Sequence, residues 1–320
     1  MENTRPMVSV IVLTYNHEKY IQQALDSILM QKVKFDYEIL IGDDASTDKT
    51  VEILKKYKEK YPKIIKLFLN EVNMGPTHNA YNLLTNAKGK YLATCEGDDY
   101  WTDDNKLQIQ VEFLEKNKEL VGCTHYFTIV NEDNIPYKNQ FLSWVKQKNI
   151  FTINDFCGMF LPGQPGTFLK RNLLWDKTID FTYIYKIHSY VGDKTVMLLY
   201  LLNGNFGLIK KYMSCYRKSY HNSITSVISE NKLKFLNEDY NMLKAFEKIS
   251  LKFNKMYNFS RGKKIIFAKA IYFYVKTSEI AYLNLAKIIL KESDNNIAFI
   301  LYVPFYYISR IIDIIKNYSR

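Results

Sequence analysis

Four short apolar runs alternate with helix-like segments through the first hundred residues of the chain. The first run extends from Val8 to Leu13 and is rich in β-branched residues, as is typical of a strand buried in a parallel sheet. Similar runs begin near Tyr37, Ile64 and Gly89, with amphipathic stretches of helical spacing between them. Repeated β-α-β units of this length predict a parallel sheet with helices on its faces.

Polar residues follow three of these strands directly. In an open parallel sheet, ligands bind outside the carboxyl ends of the strands, so the segments after strands one, two and four should share one rim. The residues at that rim are Thr14, Tyr15 and Asn16; Asp43 and Asp44; and Glu96, Asp98 and Asp99. Three separate segments that meet at one edge predict a ligand site there. Because no GxGxxG follows strand one, the usual dinucleotide fingerprint is absent.

The densest polar segment is Cys95-Glu96-Gly97-Asp98-Asp99-Tyr100-Trp101, which follows the fourth strand. Carboxylates this close repel one another, and a cation stabilises their ionised forms. A hard divalent ion such as Mn²⁺ or Mg²⁺ suits oxygen ligands and often binds phosphate oxygens as well. The segment therefore predicts a metal-bridged phosphate ligand. The alternative is a solvated turn that caps a helix beginning near Thr102 or Asp103.

Length and cysteine content narrow the class of protein. A chain of 320 residues can bury a large core, as one domain with an appendage or as two domains. Its four cysteines are scattered and form no CxxC pair, and this spacing argues against both a zinc site and a disulfide framework. Together with the short polar start of the chain, this predicts a reducing, cytoplasmic location.

Positive charge is concentrated near the end of the chain. Residues 244–320 hold 14 Lys and Arg against 5 Asp and Glu, a net charge of +9 out of +11 for the whole chain. Such asymmetry predicts an anionic partner, either a lipid surface or a nucleic acid, and the alternative is a solvated helical surface. The apolar stretch 297–308 is too short to span a membrane, whereas the basic amphipathic segment 311–320 could lie on an anionic bilayer.

The motifs, taken in order, resemble those of glycosyltransferase family 2. They are the run from Val8 to Asn16, the segment from Ile41 to Thr50, and the acidic segment from Glu96 to Asp99. The resemblance covers roughly residues 7–220 and implies a GT-A fold, an α/β, Rossmann-like and mostly parallel sheet flanked by helices. It divides the chain into a catalytic domain (1–225) and a basic, aromatic helical extension (226–320). The catalytic domain then has a nucleotide-binding half (1–104) and an acceptor-binding half (105–225).

The same resemblance implies roles for the residues at the rim. Tyr15, in the turn of Thr14 to Asn16, matches the aromatic residue that packs on the nucleotide base, and Asp44 matches the residue that bonds the base. Glu96 and Asp98 match the contacts to ribose and sugar phosphate, and Asp98 and Asp99 match the metal ligands. Glu96 stands where the family usually has Asp.

Two segments further along the chain complete the implied site. Asp193 matches the general base of the family, a carboxylate near the start of a helix. Read without the family, Asp193 is the N-cap of a helix that starts at Thr195. Tyr216 and Arg217, followed by His221, resemble a segment in which arginine binds phosphate and histidine approaches the metal or the diphosphate. The resemblance thus makes His221 a third expected metal ligand.

The resemblance implies an inverting, metal-dependent enzyme that transfers a sugar from a nucleotide-diphosphate-sugar to an acceptor hydroxyl. The expected acceptor is a glycan or lipid-linked glycan of the bacterial cell surface. The basic tail would then bind the inner face of the plasma membrane, and no nucleic acid is expected as a partner. One alternative is a metal-dependent nucleotidyltransferase, although the turn after strand one lacks the glycines common there. The last alternative is a non-catalytic nucleic-acid-binding protein, which the acidic rim disfavours.

Overall fold

The structure is a computed structural model that describes residues 5–138, 148–218, 230–293, 295–304 and 306–307. The chain divides into two compact units. The first contains residues 1–156 and 160–219, and the second contains residues 157–159 and 220–320. His221 and the segment 311–320 lie outside the described residues.

A nine-stranded mixed sheet forms the centre of the first unit. Its strands follow the order β3-β2-β1-β4-β8-β6-β9-β5, and β7 pairs with β9. The first four strands in this order are mutually parallel, as the sequence predicts, and β8 then joins antiparallel to both β4 and β6. The strands are β1 (Val8–Thr14), β2 (Tyr37–Asp43), β3 (Ile65–Leu69), β4 (Tyr91–Glu96), β5 (Tyr100–Trp101), β6 (Leu120–Val130), β7 (Ile150–Phe151), β8 (Leu169–Arg171) and β9 (Asn205–Arg217).

Seven α-helices belong to the described part of this unit. Apolar residues at helical spacing give α1 a buried stripe, and Pro76 begins α3 at a position where its missing N–H leaves no backbone bond unmade. The helices are α1 (Ile21–Leu29), α2 (Thr50–Lys60), α3 (Pro76–Asn86), α4 (Lys106–Lys116), α5 (Ile153–Phe156), α6 (Tyr183–Lys186) and α7 (Asp193–Leu201).

The long strand β9 brings the last part of the first unit back to the acidic edge. It runs parallel to β6 and pairs with β5 in antiparallel fashion, so that Tyr100 lies opposite Cys215 and Trp101 opposite Ser214. Arg217, its last residue, pairs with Val130. The strand therefore ends beside the segment that joins β4 to β5.

The described part of the second unit is helical. It contains α8 (Lys232–Lys252), α9 (Ser260–Thr277) and α10 (Ile280–Lys291), and residues 296–304 are also helical. Ser278 separates α9 from α10 with a left-handed backbone conformation, φ 60°. Aromatic side chains pack inside the unit, for example Phe246 against Phe259 at 5.9 Å between ring centroids. Among the residues described, no helix combines the length and the apolar character that crossing a bilayer requires.

Candidate active site

Residues 96–99, here called the acidic loop, turn tightly at the carboxyl end of β4. The Gly97 amide donates to the Leu13 carbonyl at 2.8 Å, and the Asp99 amide donates to the Glu96 carbonyl at 3.0 Å. These bonds fold the loop onto the end of β1. As a result, one carboxylate oxygen from each of Glu96, Asp98 and Asp99 lies within 4.8 Å of the others.

The electrostatics of the acidic loop are unfavourable when no cation is present. Desolvation, followed by the charges of Asp98 and Asp193, raises the pKa of Glu96 to about 8. Burial, followed by the charges of Asp98 and Glu96, raises the pKa of Asp99 well above its usual value, although the Arg217 amide opposes this. The loop therefore holds more negative charge than its own surroundings neutralise.

This donor set fits a hard divalent cation. Three carboxylates converge, and their oxygens are the ligands that Mg²⁺ and Mn²⁺ prefer. A cation would relieve both the desolvation and the repulsion that raise the two pKa values. The fit includes Asp98 and Asp99, two of the three residues predicted as metal ligands, and adds Glu96 to them.

Glycine at position 97 is required by close packing. A Cβ atom on Gly97 would lie 2.7 Å from His17 Nδ1 and 2.9 Å from both Cβ and Oγ1 of Thr14. The Gly97→Ala variant must therefore move the acidic loop away from β1, and we expect at least a tenfold loss of Mn²⁺ affinity. A Cβ on Gly166 would lie 3.9 Å from Asp99 Oδ2, an ordinary contact, so Gly166→Ala is the matched control. Titration calorimetry with Mn²⁺ compares the two, and wild-type affinity in Gly97→Ala would contradict the packing argument.

The turns after β1 and β2 bind each other and form one wall of the rim. Asn16 adopts a left-handed backbone, φ 55°, and its Oδ1 accepts from the Thr47 amide at 2.8 Å while its own amide donates to Ser46 Oγ at 2.8 Å. Asn16 thus fixes the shape of the wall. Tyr15 lies beside it with 44% of its surface exposed, which leaves its ring accessible to a ligand. Thr14 is buried, and its Oγ1 has no hydrogen-bond partner among the described residues.

Asp44 is buried and holds a neighbouring loop. Its Oδ1 accepts from Asn70 Nδ2 at 2.9 Å and from the Met74 amide at 2.8 Å, and its Oδ2 accepts from the Gly75 amide at 2.8 Å. These three bonds order the segment that leads into α3. A contact between Asp44 and a nucleotide base therefore remains a prediction, and such a contact would have to use the remaining lone pair of Oδ2.

Asp193 is the first residue of α7, which starts two residues earlier than the helix expected from Thr195. Gly192 is the N-cap residue, so Asp193 is not the cap. A carboxylate in the first turn interacts favourably with the helix dipole. The preceding turn is held by His188, whose Nδ1 accepts from the amides of Tyr190 and Val191 at 3.1 Å each, which places the ring proton on Nε2.

The charge of Asp193 contributes to the raised pKa of Glu96, so the two carboxylates are close enough to interact. The first residue of α7 and the acidic loop thus lie in one site, although they are 97 positions apart in the chain. In a comparison with known families, the model of glycosyl transferase family 2 matches residues 9–197 of this chain.

The chain belongs to glycosyl transferase family 2. The match covers the acidic loop and Asp193, and it ends within α7. The α/β fold and the family membership predicted from the sequence are therefore confirmed.

Individual relatives match parts of this family 2 chain. A Mycobacterium tuberculosis protein is 42% identical over 126 residues, which are 39% of this chain and 36% of that protein. TuaG of Bacillus subtilis, whose name assigns it to teichuronic acid biosynthesis, is 35% identical over 136 residues, 42% of this chain and 52% of TuaG. The chain thus spans about a third to a half of the length of these curated relatives.

Two solved structures share the fold. S. aureus TarS 1-349 in complex with UDP-GlcNAc has a TM-score of 0.63 and 18% identity, covering 89% of this chain and 80% of that one. The mannosyltransferase PcManGT from Pyrobaculum calidifontis, in complex with GDP-Man and Mn²⁺, has a TM-score of 0.52 and 16% identity, covering 95% and 81%.

Lys170, a buried cation whose charge interacts with that of Asp193, was not predicted from the sequence. Burial lowers the pKa of Lys170 to about 8, and the charge of Asp193 opposes that shift. Its ammonium group lies 5.7 Å from the Tyr200 ring centroid and 5.9 Å from that of Phe168. The available signal was a lysine directly after the short apolar run Thr167-Phe168-Leu169, because a lysine is seldom buried without a charged neighbour.

Arg217 lies at the site, but its partners are not those of a free phosphate clamp. The side chain is buried, and Nε, Nη1 and Nη2 all donate to groups of the chain itself. His221, the predicted third metal ligand, lies outside the described residues. Trp101 is a core residue, since its indole N–H donates to the Gly166 carbonyl at 3.1 Å and Lys106 Nζ lies 3.9 Å from its ring centroid.

Proposed function

We propose that this glycosyltransferase is an inverting, metal-dependent enzyme that uses a nucleotide-diphosphate-sugar. The observation that supports this best is that the charge of Asp193 acts on Glu96 in the acidic loop. In the proposal, Glu96, Asp98 and Asp99 hold Mn²⁺ or Mg²⁺, which when bound offsets the charge of the departing nucleoside diphosphate. Tyr15 packs on the nucleotide base at the open side of the rim.

In the proposed reaction, Asp193 takes the proton from the acceptor hydroxyl while that oxygen attacks the anomeric carbon. A sugar hydroxyl is a weak nucleophile, so removal of its proton by a positioned carboxylate lowers the barrier. The bond to the diphosphate breaks on the opposite face of the sugar. A single carboxylate acting in a single displacement gives inversion at the anomeric carbon.

The donor is proposed to be a UDP- or GDP-hexose, since UDP-GlcNAc and GDP-Man are bound by proteins of this fold. The acceptor is proposed to be a cell-surface glycan or its lipid-linked precursor, by analogy with TuaG. We expect Mn²⁺-dependent release of free UDP or GDP from the matching donor, detected by ion-exchange chromatography. Pyrophosphate as the product would instead indicate a nucleotidyltransferase, and nuclear magnetic resonance of the product tests inversion.

The second unit is proposed to bind the anionic inner face of the plasma membrane, with the protein in the cytoplasm. Residues 244–320 carry a net charge of +9, and Ile297 and Leu301, one helical turn apart, are 70% and 67% exposed. We expect the double variant Ile297→Glu and Leu301→Glu to reduce co-sedimentation with phosphatidylglycerol vesicles at least fivefold. Ile135→Glu, at an exposed site in the first unit, is the control. Equal sedimentation of the two variants would contradict membrane binding through this helix.

A further inference from the structure

Arg217 touches the acidic loop through both its main chain and its side chain. The Arg217 amide donates to Asp99 Oδ1 at 2.8 Å, and Nε donates to the Asp98 carbonyl at 2.8 Å. Two adjacent members of the candidate metal site are therefore held by one residue from the end of β9. The first bond orients the Asp99 carboxylate directly, and the second fixes the backbone that carries the Asp98 carboxylate.

The rest of the guanidinium group joins the acidic loop to two other segments. Nη1 donates to the Glu132 carbonyl at 3.0 Å and to the Asn131 carbonyl at 3.4 Å, in the turn that follows β6. Nη2 donates to Gln23 Oε1 at 2.8 Å, on α1. The loop is thus bound through Arg217 to two elements that are far from it in the sequence.

Aromatic rings cover the same guanidinium group. Its central carbon lies 4.4 Å from the Tyr20 ring centroid and 5.5 Å from that of Tyr100, and Arg217 is only 2% exposed. Four of the five N–H donors of the side chain already have acceptors in the chain. A bidentate bond to a diphosphate needs two free donors in a fork, so it would require existing bonds to break.

We propose that Arg217 is a positioning residue, which holds the acidic loop in the conformation that binds the divalent cation and does not itself bind the donor phosphate. This deepens the proposed function and rests on it, because the loop is assigned there as the metal site. Lysine cannot replace Arg217, since one ammonium group cannot reach the Asp98 carbonyl, the Glu132 carbonyl and Gln23 together. Residues that orient metal ligands through hydrogen bonds typically change metal affinity by about 10–100-fold.

Arg171 provides a matched control within the same sheet. Its Nε donates to the Leu120 carbonyl at 2.7 Å, its Nη2 to the Leu114 carbonyl at 2.8 Å, and its guanidinium carbon lies 5.5 Å from the Tyr91 ring centroid. Arg171 is therefore a second arginine that donates to backbone carbonyls and packs on a tyrosine ring, although it is only partly buried. It pairs with the first residue of β4, at the end opposite the acidic loop.

The test measures Mn²⁺ binding to the full chain without nucleotide, by the electron paramagnetic resonance of free Mn²⁺. We expect Arg217→Lys and Arg217→Met to raise the Kd for Mn²⁺ about tenfold or more. Arg171→Lys should change this Kd less than twofold, even if it lowers the melting temperature as much as Arg217→Lys does. At saturating Mn²⁺ the donor KM of Arg217→Lys should stay within threefold of the wild-type value, while a tenfold rise in donor KM with an unchanged Kd for Mn²⁺ would overturn the proposal in favour of direct phosphate binding.

A milder variant keeps the test decisive if Arg217 variants do not fold. Gln23→Leu removes only the acceptor of Nη2, and we expect it to raise the Kd for Mn²⁺ two- to fivefold. An unchanged Kd in this variant would overturn the proposal. Wild-type protein that binds no Mn²⁺ would instead contradict the metal site of the proposed function, so the two failures are distinguishable.

Discussion

Replacement of Asp193 by asparagine is expected to lower kcat about a thousandfold while the donor KM changes less than threefold. Asparagine keeps the size of the side chain at the first position of α7 but cannot accept the proton of the acceptor hydroxyl. General base catalysis contributes about 10²–10⁴ in rate. Because Asp193 is proposed to act on the acceptor, a loss confined to kcat indicates an interaction made in the transition state rather than in donor binding.

The measurement is steady-state release of nucleoside diphosphate at saturating acceptor. The matched control is Glu52→Gln, which removes a carboxylate from the first turn of α2 and its ion pair with Lys56, but lies outside the site. Both variants lose a favourable interaction with a helix dipole, so a common loss of activity would reflect stability rather than catalysis. Turnover by Asp193→Asn within tenfold of the wild-type rate would refute the general base assignment.

The first half of the fold could be predicted because its information is local. Each strand from β1 to β4 is an apolar run that ends in a polar turn, and parallel strands with short crossovers follow one another in the chain. Strand β9 was not predicted from the sequence, because its position in the sheet depends on segments distant in the chain. Lys210 and Lys211 interrupt its apolar pattern, and its partners β5, β6 and β7 all lie far away in the sequence.

The candidate site likewise has parts that local sequence predicts and parts that depend on distant segments. The three carboxylates of the acidic loop could be identified because they lie within four residues. The role proposed for Arg217 could not, since it depends on carbonyl groups of Asp98 and Glu132 that only the tertiary structure brings to it. The need for glycine at position 97 is also invisible in sequence, because the atoms that exclude a Cβ belong to Thr14 and His17 at the end of another strand.

Replacement of Asp98 by asparagine is expected to stabilise the metal-free protein and to abolish its stabilisation by Mn²⁺. After desolvation, the charge of Asp98 is the largest cause of the raised pKa of both Glu96 and Asp99, so its removal relieves repulsion in the folded state. A gain of about 1 kcal/mol would raise the melting temperature by about 2 °C. In the wild-type protein, Mn²⁺ at about 100 times its Kd should add about 2.7 kcal/mol of stability, and the variant should lose nearly all of it.

Differential scanning fluorimetry at pH 8, with EDTA or with Mn²⁺, measures both effects in one experiment. Asp104→Asn is the control, because Asp104 is an acidic residue near the loop that pairs with Lys32 at 2.6 Å and does not belong to the carboxylate cluster. A variant that is less stable without metal, or that still responds to Mn²⁺, would show that Asp98 is not a ligand. Relative to the wild-type protein, Asp98→Asn is expected to be more stable with EDTA and less stable with Mn²⁺. A general structural defect would instead lower the stability under both conditions. They also separate Asp98 from Asp193, whose asparagine variant should keep the response to Mn²⁺ and lose only turnover.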